Sequence, residues 1–269
     1  MAEMQGPLTG SPPEEVALLD PPLIRVLAQV RFPLIASIES QDFIGAFQEA
    51  IRRDYPVLRP ERSQSVVLGP AGVQEARTSV LWRFNDPRSG WRVTLAPDFV
   101  ALETSRYSSR DDFMERFESA LGALVASVEP AEVDRLGVRY LDRLVGEDLR
   151  DLHNLVRREV GGILATELRD RTHQAFTECL FEIPDEAGML RARWGMLPSG
   201  ATIDPSAVEP IDERSWLLDI DAYRASEGDG PSFDIEAIVA DARAFAARIY
   251  SVFRWVVTDE FLRRFGGQP

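Results

Sequence analysis

The chain has 269 residues, 45% of them hydrophobic and 28% charged, with a net charge of −14. That is a globular balance with length for one large core or two small ones, and its acid excess opposes indiscriminate binding to nucleic acid or anionic lipid. No apolar run reaches the ~18 residues of a membrane helix, the opening MAEMQGPLTGSPPEE lacks the pattern of a secretory signal, and a single cysteine, Cys179, excludes an internal disulfide and fits a reducing cytoplasm.

Residues 1–20, rich in proline, glycine and acid, predict a mobile arm. From there Ile24, Val26, Ala28, Val30 and Phe32 alternate with Arg25, Leu27, Gln29 and Arg31, the period of a strand that Pro33 closes. A helix is expected from about Gln41, capped by Ser40, on the spacing of Phe43, Ile44, Phe47 and Ile51; Tyr55-Pro56 ends it. Short strands follow at Ser65–Leu68, Arg77–Phe84, Trp91–Leu95 and Phe99–Tyr107, separated by Gly69-Pro70, Asp86-Pro87, Gly90 and Pro97-Asp98. The next helix starts after Ser109 and aligns Phe113, Phe117, Leu121, Leu124 and Val125.

The order then repeats. Val133–Leu144 reads as a strand, Leu152 to about Leu168 as mainly helix, and Thr172–Ile183, Met189–Leu197 and Trp216–Tyr223 as strands. A long helix from Asp234 carries Ile238, Ala242, Phe245, Ile249, Phe253 and Val256, while Pro198–Arg214 replaces a hairpin strand by a loop. Ala28-Gln29-Val30-Arg31-Phe32 is echoed by Leu136-Gly137-Val138-Arg139-Tyr140, and Leu81-Trp82-Arg83-Phe84 more loosely by Ala192-Arg193-Trp194-Gly195. The expected fold is α+β: a duplicated strand–helix–multistrand–helix unit with a curved antiparallel sheet and helices on one face. The arm would cover 1–20 and the half-repeats 21–129 and 130–269. The TATA-binding-protein saddle and the helix-grip folds share this topology, which by itself implies no ligand.

Several segments carry a family resemblance: Pro21–Val26 running to Val30-Arg31-Phe32-Pro33, Trp82-Arg83-Phe84, Phe99–Thr104 with Tyr107, Leu136–Tyr140, Trp216–Asp221 and Phe253–Thr258. Together they resemble a family of sporadically distributed bacterial proteins of about this length, whose function is unassigned. The resemblance spans nearly the whole chain after the arm. Patchy distribution implies horizontal transfer, as with toxin–antitoxin or phage-defence cargo, and the family offers no catalytic residue to carry over.

Familiar catalytic machinery is missing from the sequence. The only histidines are His153 and His173. His173 and Cys179 are six residues apart on one expected strand, roughly 20 Å at strand rise and too far for proton transfer. There is no nucleophile elbow, phosphate loop or dinucleotide fingerprint, and Gly161-Gly162 reads as a helix end. Asp219 and Asp221 share a strand face, which suits a hard cation or, more simply, solvent. Asp204, Glu209, Asp212, Glu213, Glu227, Asp229, Asp234 and Glu236 make their surroundings acidic, most simply a solvated surface, otherwise a protein-docking flank or a nucleic-acid-like decoy. No cofactor, metal ligand set or catalytic residue is expected.

Arginine is the informative residue. All 30 basic residues are arginine and none is lysine, by codon bias or by selection against lysine-directed modification. The Gly266-Gly267 tail reads as a helix cap or, less simply, as a modifier-like end. Core alternation places Arg25, Arg31, Arg83, Arg135, Arg139, Arg143, Arg191 and Arg193 on the sheet face opposite the apolar residues. Such a face would recognise carboxylate or phosphate bidentately, unless cross-strand acids such as Glu103, Glu178 and Glu182 take up its charges. The expectation is a non-enzymatic recognition protein for an acidic protein partner, in an antitoxin, immunity or phage-defence module. A nucleic-acid binder on the same groove and a small-ligand sensor or enzyme with a sheet–helix pocket are the alternatives.

Overall fold

The computed structural model describes residues 6–69, 72–184, 188–226 and 228–269. Pro70 of the expected turn, the first five residues of the arm and Glu227 of the acidic stretch lie outside them. The fold is α+β, with one open antiparallel sheet of nine strands and, among the described residues, seven α-helices.

In chain order the strands are β1 (Leu23–Arg31), β2 (Val57–Gly69), β3 (Gly72–Asp86), β4 (Trp91–Ala96), β5 (Phe99–Thr104), β6 (Arg135–Val145), β7 (Ala175–Ile183), β8 (Gly188–Leu197) and β9 (Ser215–Ala225). Helices are α1 (Gly45–Ile51), α2 (Arg110–Val128), α3 (Gly146–Arg150), α4 (Leu152–Leu155), α5 (Arg158–Gly161), α6 (Ile235–Val256) and α7 (Asp259–Arg264). Across the sheet the order is β2-β3-β4-β5-β1-β6-β9-β8-β7. Each opening strand, β1 or β6, therefore lies beside the last strand of its own stretch of chain, β5 or β9.

Two compact units are built from interleaved segments: Leu27–Gly137 with Ala225–Ala242, and Met1–Val26 with Val138–Arg224 and Arg243–Pro269. The boundary read from sequence, between residues 129 and 130, is a single cut along the chain, whereas these units each draw on both sides of it. In the first unit, α2 packs on α1 and β5. Ser109 caps α2 by accepting from the Asp112 N–H, and Phe113, Phe117, Leu121 and Leu124 are buried as their spacing predicts. Ser40 caps no helix: it closes a 3-10 turn at Ala36–Glu39, and α1 begins only at Gly45. Trp82 Nε1 donates to the Ile38 carbonyl at 2.7 Å and ties that turn to β3.

In the second unit the mainly helical stretch expected over residues 152–168 is present as short pieces, α4, α5 and a 3-10 helix at Gly162–Ala165. Val156 is extended and bridges Val257, and Gly162 adopts φ +49°, which a side chain rarely tolerates. Residues 7–20, read from composition as an arm, are held along α6 and the C-terminal segment. Arg248 donates to the carbonyls of Pro7 and Gly10, the Val16 N–H donates to the Tyr250 hydroxyl, and the Asp20 N–H donates to the Phe265 carbonyl. Gly266, at φ +81°, packs so closely on Leu19 that an added Cβ would lie 2.8 Å from it. The Gly-Gly tail thus has a packing role after α7.

Candidate functional site

In the second unit, residues 138–145 of β6 together with β8 and β9 assemble a dense charge cluster. β8 and β9 pair antiparallel with Arg193 opposite Asp219 and Arg191 opposite Asp221. Directly opposed residues of this kind place their side chains within reach of each other. Arg193 Nε donates to Asp219 Oδ2 at 2.9 Å, and Arg191 Nη2 to Asp221 Oδ2 at 3.0 Å. From β6, Arg139 grips Asp219 bidentately, Nε to Oδ1 at 2.7 Å and Nη2 to Oδ2 at 2.9 Å. Asp219 is 1% exposed, and it holds two arginines.

The reading of Asp219 and Asp221 as a solvated strand face is thereby replaced: both are buried, and both receive guanidinium groups. The acids named as rival partners differ as well. Glu178 lies opposite Arg193 from β7, yet Arg193 turns to Asp219, while Glu103 takes Arg92 at 2.8 Å.

The loop Pro198–Arg214 covers this part of the sheet. Asp204 accepts from the Ser206 N–H and hydroxyl at Oδ1 and from Arg139 Nη1 at Oδ2, 2.8 Å away. Arg143 Nη2 donates to the Glu209 carbonyl at 2.8 Å, and Arg25 Nη1 reaches the Ser206 carbonyl at 3.4 Å with the Glu209 carboxylate 4.0 Å away. Between these ties Ala207 and Val208 pack with Leu141, Leu197 and Leu217, against Ile24 and Phe176. The arginine phase thus also carries apolar residues, and a loop closes over them. Burial opposes the Arg139 charge, but the Asp219 and Asp204 carboxylates outweigh it and hold the guanidinium above its ordinary value. For Arg143 burial dominates and lowers the value, only partly offset by Glu209; its Nε is buried without a hydrogen-bond partner.

In the other unit, Arg31 is 3.6 Å from Asp98 and sits over the Phe99 ring, Arg83 meets Glu61 at 3.2 Å, and the Arg135 guanidinium lies across Gly137, where no Cβ obstructs it. Five of the eight predicted arginines thus belong to one unit and three to the other. Sequence reasoning missed Asp204, Ser206 and Glu209 as their partners; the signal available was Asp204-Pro205-Ser206, a turn in which the aspartate binds backbone two residues on. Cys179 stands opposite Ala192, and His153 Nδ1 is 3.3 Å from Arg169. Among the described residues no three His, Cys, Asp or Glu side chains gather as a metal site.

Asp204 sets a pH response. Burial opposes its charge, but the Ser206 and Arg139 hydrogen bonds prevail and lower its pKa from 3.8 to about 2. Its contribution is present above about pH 4 and lost as the pH falls towards 2. With its side chain 24% exposed, the loss discounted for solvent is about 1 kcal/mol. Urea unfolding at about pH 5, above that window, and at about pH 2.5, well inside it, checks this: Asp204→Asn should lose less stability than the parent on acidification, and equal losses would refute the assignment.

Comparison with models of protein families, with curated proteins and with solved structures gave no match.

Proposed function

We propose that the chain is a non-enzymatic recognition protein that binds an acidic segment of a protein partner through sheet-face arginines, as part of a toxin–antitoxin, immunity or phage-defence module. The observation that carries this reading is the loop over the arginines. Asp204 and the carbonyls of Ser206 and Glu209 lie on Arg139, Arg25 and Arg143, an acidic length of chain docked on three guanidinium groups. The buried ladder of Asp219 with Arg139 and Arg193 fixes the geometry beneath. The equivalent placement of β1 beside β5 and of β6 beside β9 supports a further reading, that the two halves are copies of one saddle-like unit.

The test uses a glutamate-rich peptide and a single-stranded oligonucleotide of equal charge, with binding read by fluorescence anisotropy. Arg25→Gln with Arg143→Gln should weaken peptide binding at least ~10-fold, as expected for desolvated charge contacts. Because neither residue touches Asp219, thermal stability should change little. Unchanged peptide binding by the double variant would overturn the reading, and tighter binding of the oligonucleotide would transfer it to nucleic acid.

A further inference from the structure

A cleft of about 490 Å³ lies in the same unit as the arginine–aspartate ladder, and none of the eight sheet-face arginines lines it. α3, the start of α4, the 3-10 turns at Gly162–Ala165 and Arg169–Arg171, the end of β8 and the lead into β9 surround it. Its size falls within the range of small-molecule sites. Half-buried Leu149 supplies the accessible apolar wall, backed by Leu152, Leu164 and Met196, which are 1%, 4% and 2% exposed. Arg150, Arg169 and Arg214 line it with Asp170 and Glu213, three cations against two anions.

The three arginines are held differently. Arg169 donates to the carbonyls of Leu149 and Arg150, so it is fixed at the end of α3. Arg214 Nη2 donates to the Thr172 carbonyl at 2.9 Å and rests 2.8 Å from Met196 Sδ. A thioether is a weak acceptor, so that donor gains by exchanging it for a carboxylate. Arg150 is 72% exposed at its side chain, with Glu147 3.5 Å away; such a contact is nearly neutral in energy and readily given up.

We infer that this cleft binds a small amphipathic organic carboxylate. The carboxylate is taken by Arg214 and Arg150, and the hydrocarbon lies on Leu149, with Leu152, Leu164 and Met196 behind it. Neither an inorganic anion nor an uncharged alcohol satisfies both parts. The site and ligand are separate from the loop-covered arginines, so it stands or falls independently of the recognition reading.

Isothermal titration of the full chain tests it with four probes: octanoate and indole-3-acetate as aliphatic and aromatic carboxylates, inorganic phosphate, and octan-1-ol. At least one carboxylate should bind, phosphate and octanol should bind at least ~10-fold more weakly, and Arg214→Gln should reduce carboxylate affinity by a similar factor. Arg150→Gln, at an exposed position, gives a second variant with the same expected direction should Arg214→Gln disturb the Thr172 turn. Failure of both carboxylates to bind at millimolar concentration, equal binding of phosphate or octanol, or parent-like affinity in both variants would overturn the assignment.

Discussion

Asp219→Ala is expected to cost about 3–5 kcal/mol of folding stability, the range for removing one partner from a buried ion pair. The cause is the state in which it leaves Arg139 and Arg193. Their side chains are 10% and 12% exposed and both converge on this carboxylate, so its loss strands guanidinium groups away from water. Asp204 still faces Arg139 and offsets part of one charge. Joint replacement by Arg139→Met, Asp219→Leu and Arg193→Met should be milder than the single change, because it removes the desolvation cost with the charges. Urea unfolding of the three proteins decides this. A loss below about 1 kcal/mol for Asp219→Ala would put the ladder among solvated surface pairs.

The ladder also marks how far the sequence could be read. Alternation in β1 correctly assigned Val26, Ala28 and Val30 to the core, because that strand is buried on one face. β9 obeys another rule: Ser215 to Ala222 are all buried, so both faces are covered and alternation says nothing about solvent. Asp219 and Asp221 looked solvated because their partners come from register with β8 and from β6, and neither is visible in the local pattern. The loop was legible as a loop from Pro198, Gly200, Pro205 and Pro210, but its seat on Leu141 and Leu217 depends on tertiary packing. Residues 152–168 are mainly helical, as their spacing suggests, but in short pieces, since the extended bridge from Val156 to Val257 overrides local propensity. The small-ligand cleft gathers residues from 146 to 214, and no single stretch of sequence displays it.

Asp142→Asn should stabilise the protein at pH 8 by roughly 2–4 kcal/mol and flatten its pH dependence between about pH 4 and pH 7. Asp142 sits on β6, on the strand face of Val138 and Leu144, and is 7% exposed. Burial pushes its carboxyl from the ordinary 3.8 up to about 7. A carboxyl with a raised folded pKa favours folding most below the unfolded value. That advantage is lost as the pH rises, fully so above about 7, where the fold must hold the ionised form in an apolar setting. Asparagine keeps the shape without the charge. This window lies above that of Asp204, which acts only below about pH 4, so unfolding at pH 5 and pH 8 isolates it. The parent should be less stable at pH 8 than at pH 5 by about 2 kcal/mol more than Asp142→Asn. Parallel stability curves would mean that the ionised carboxylate is solvated or paired in the folded protein, and the assignment would fail.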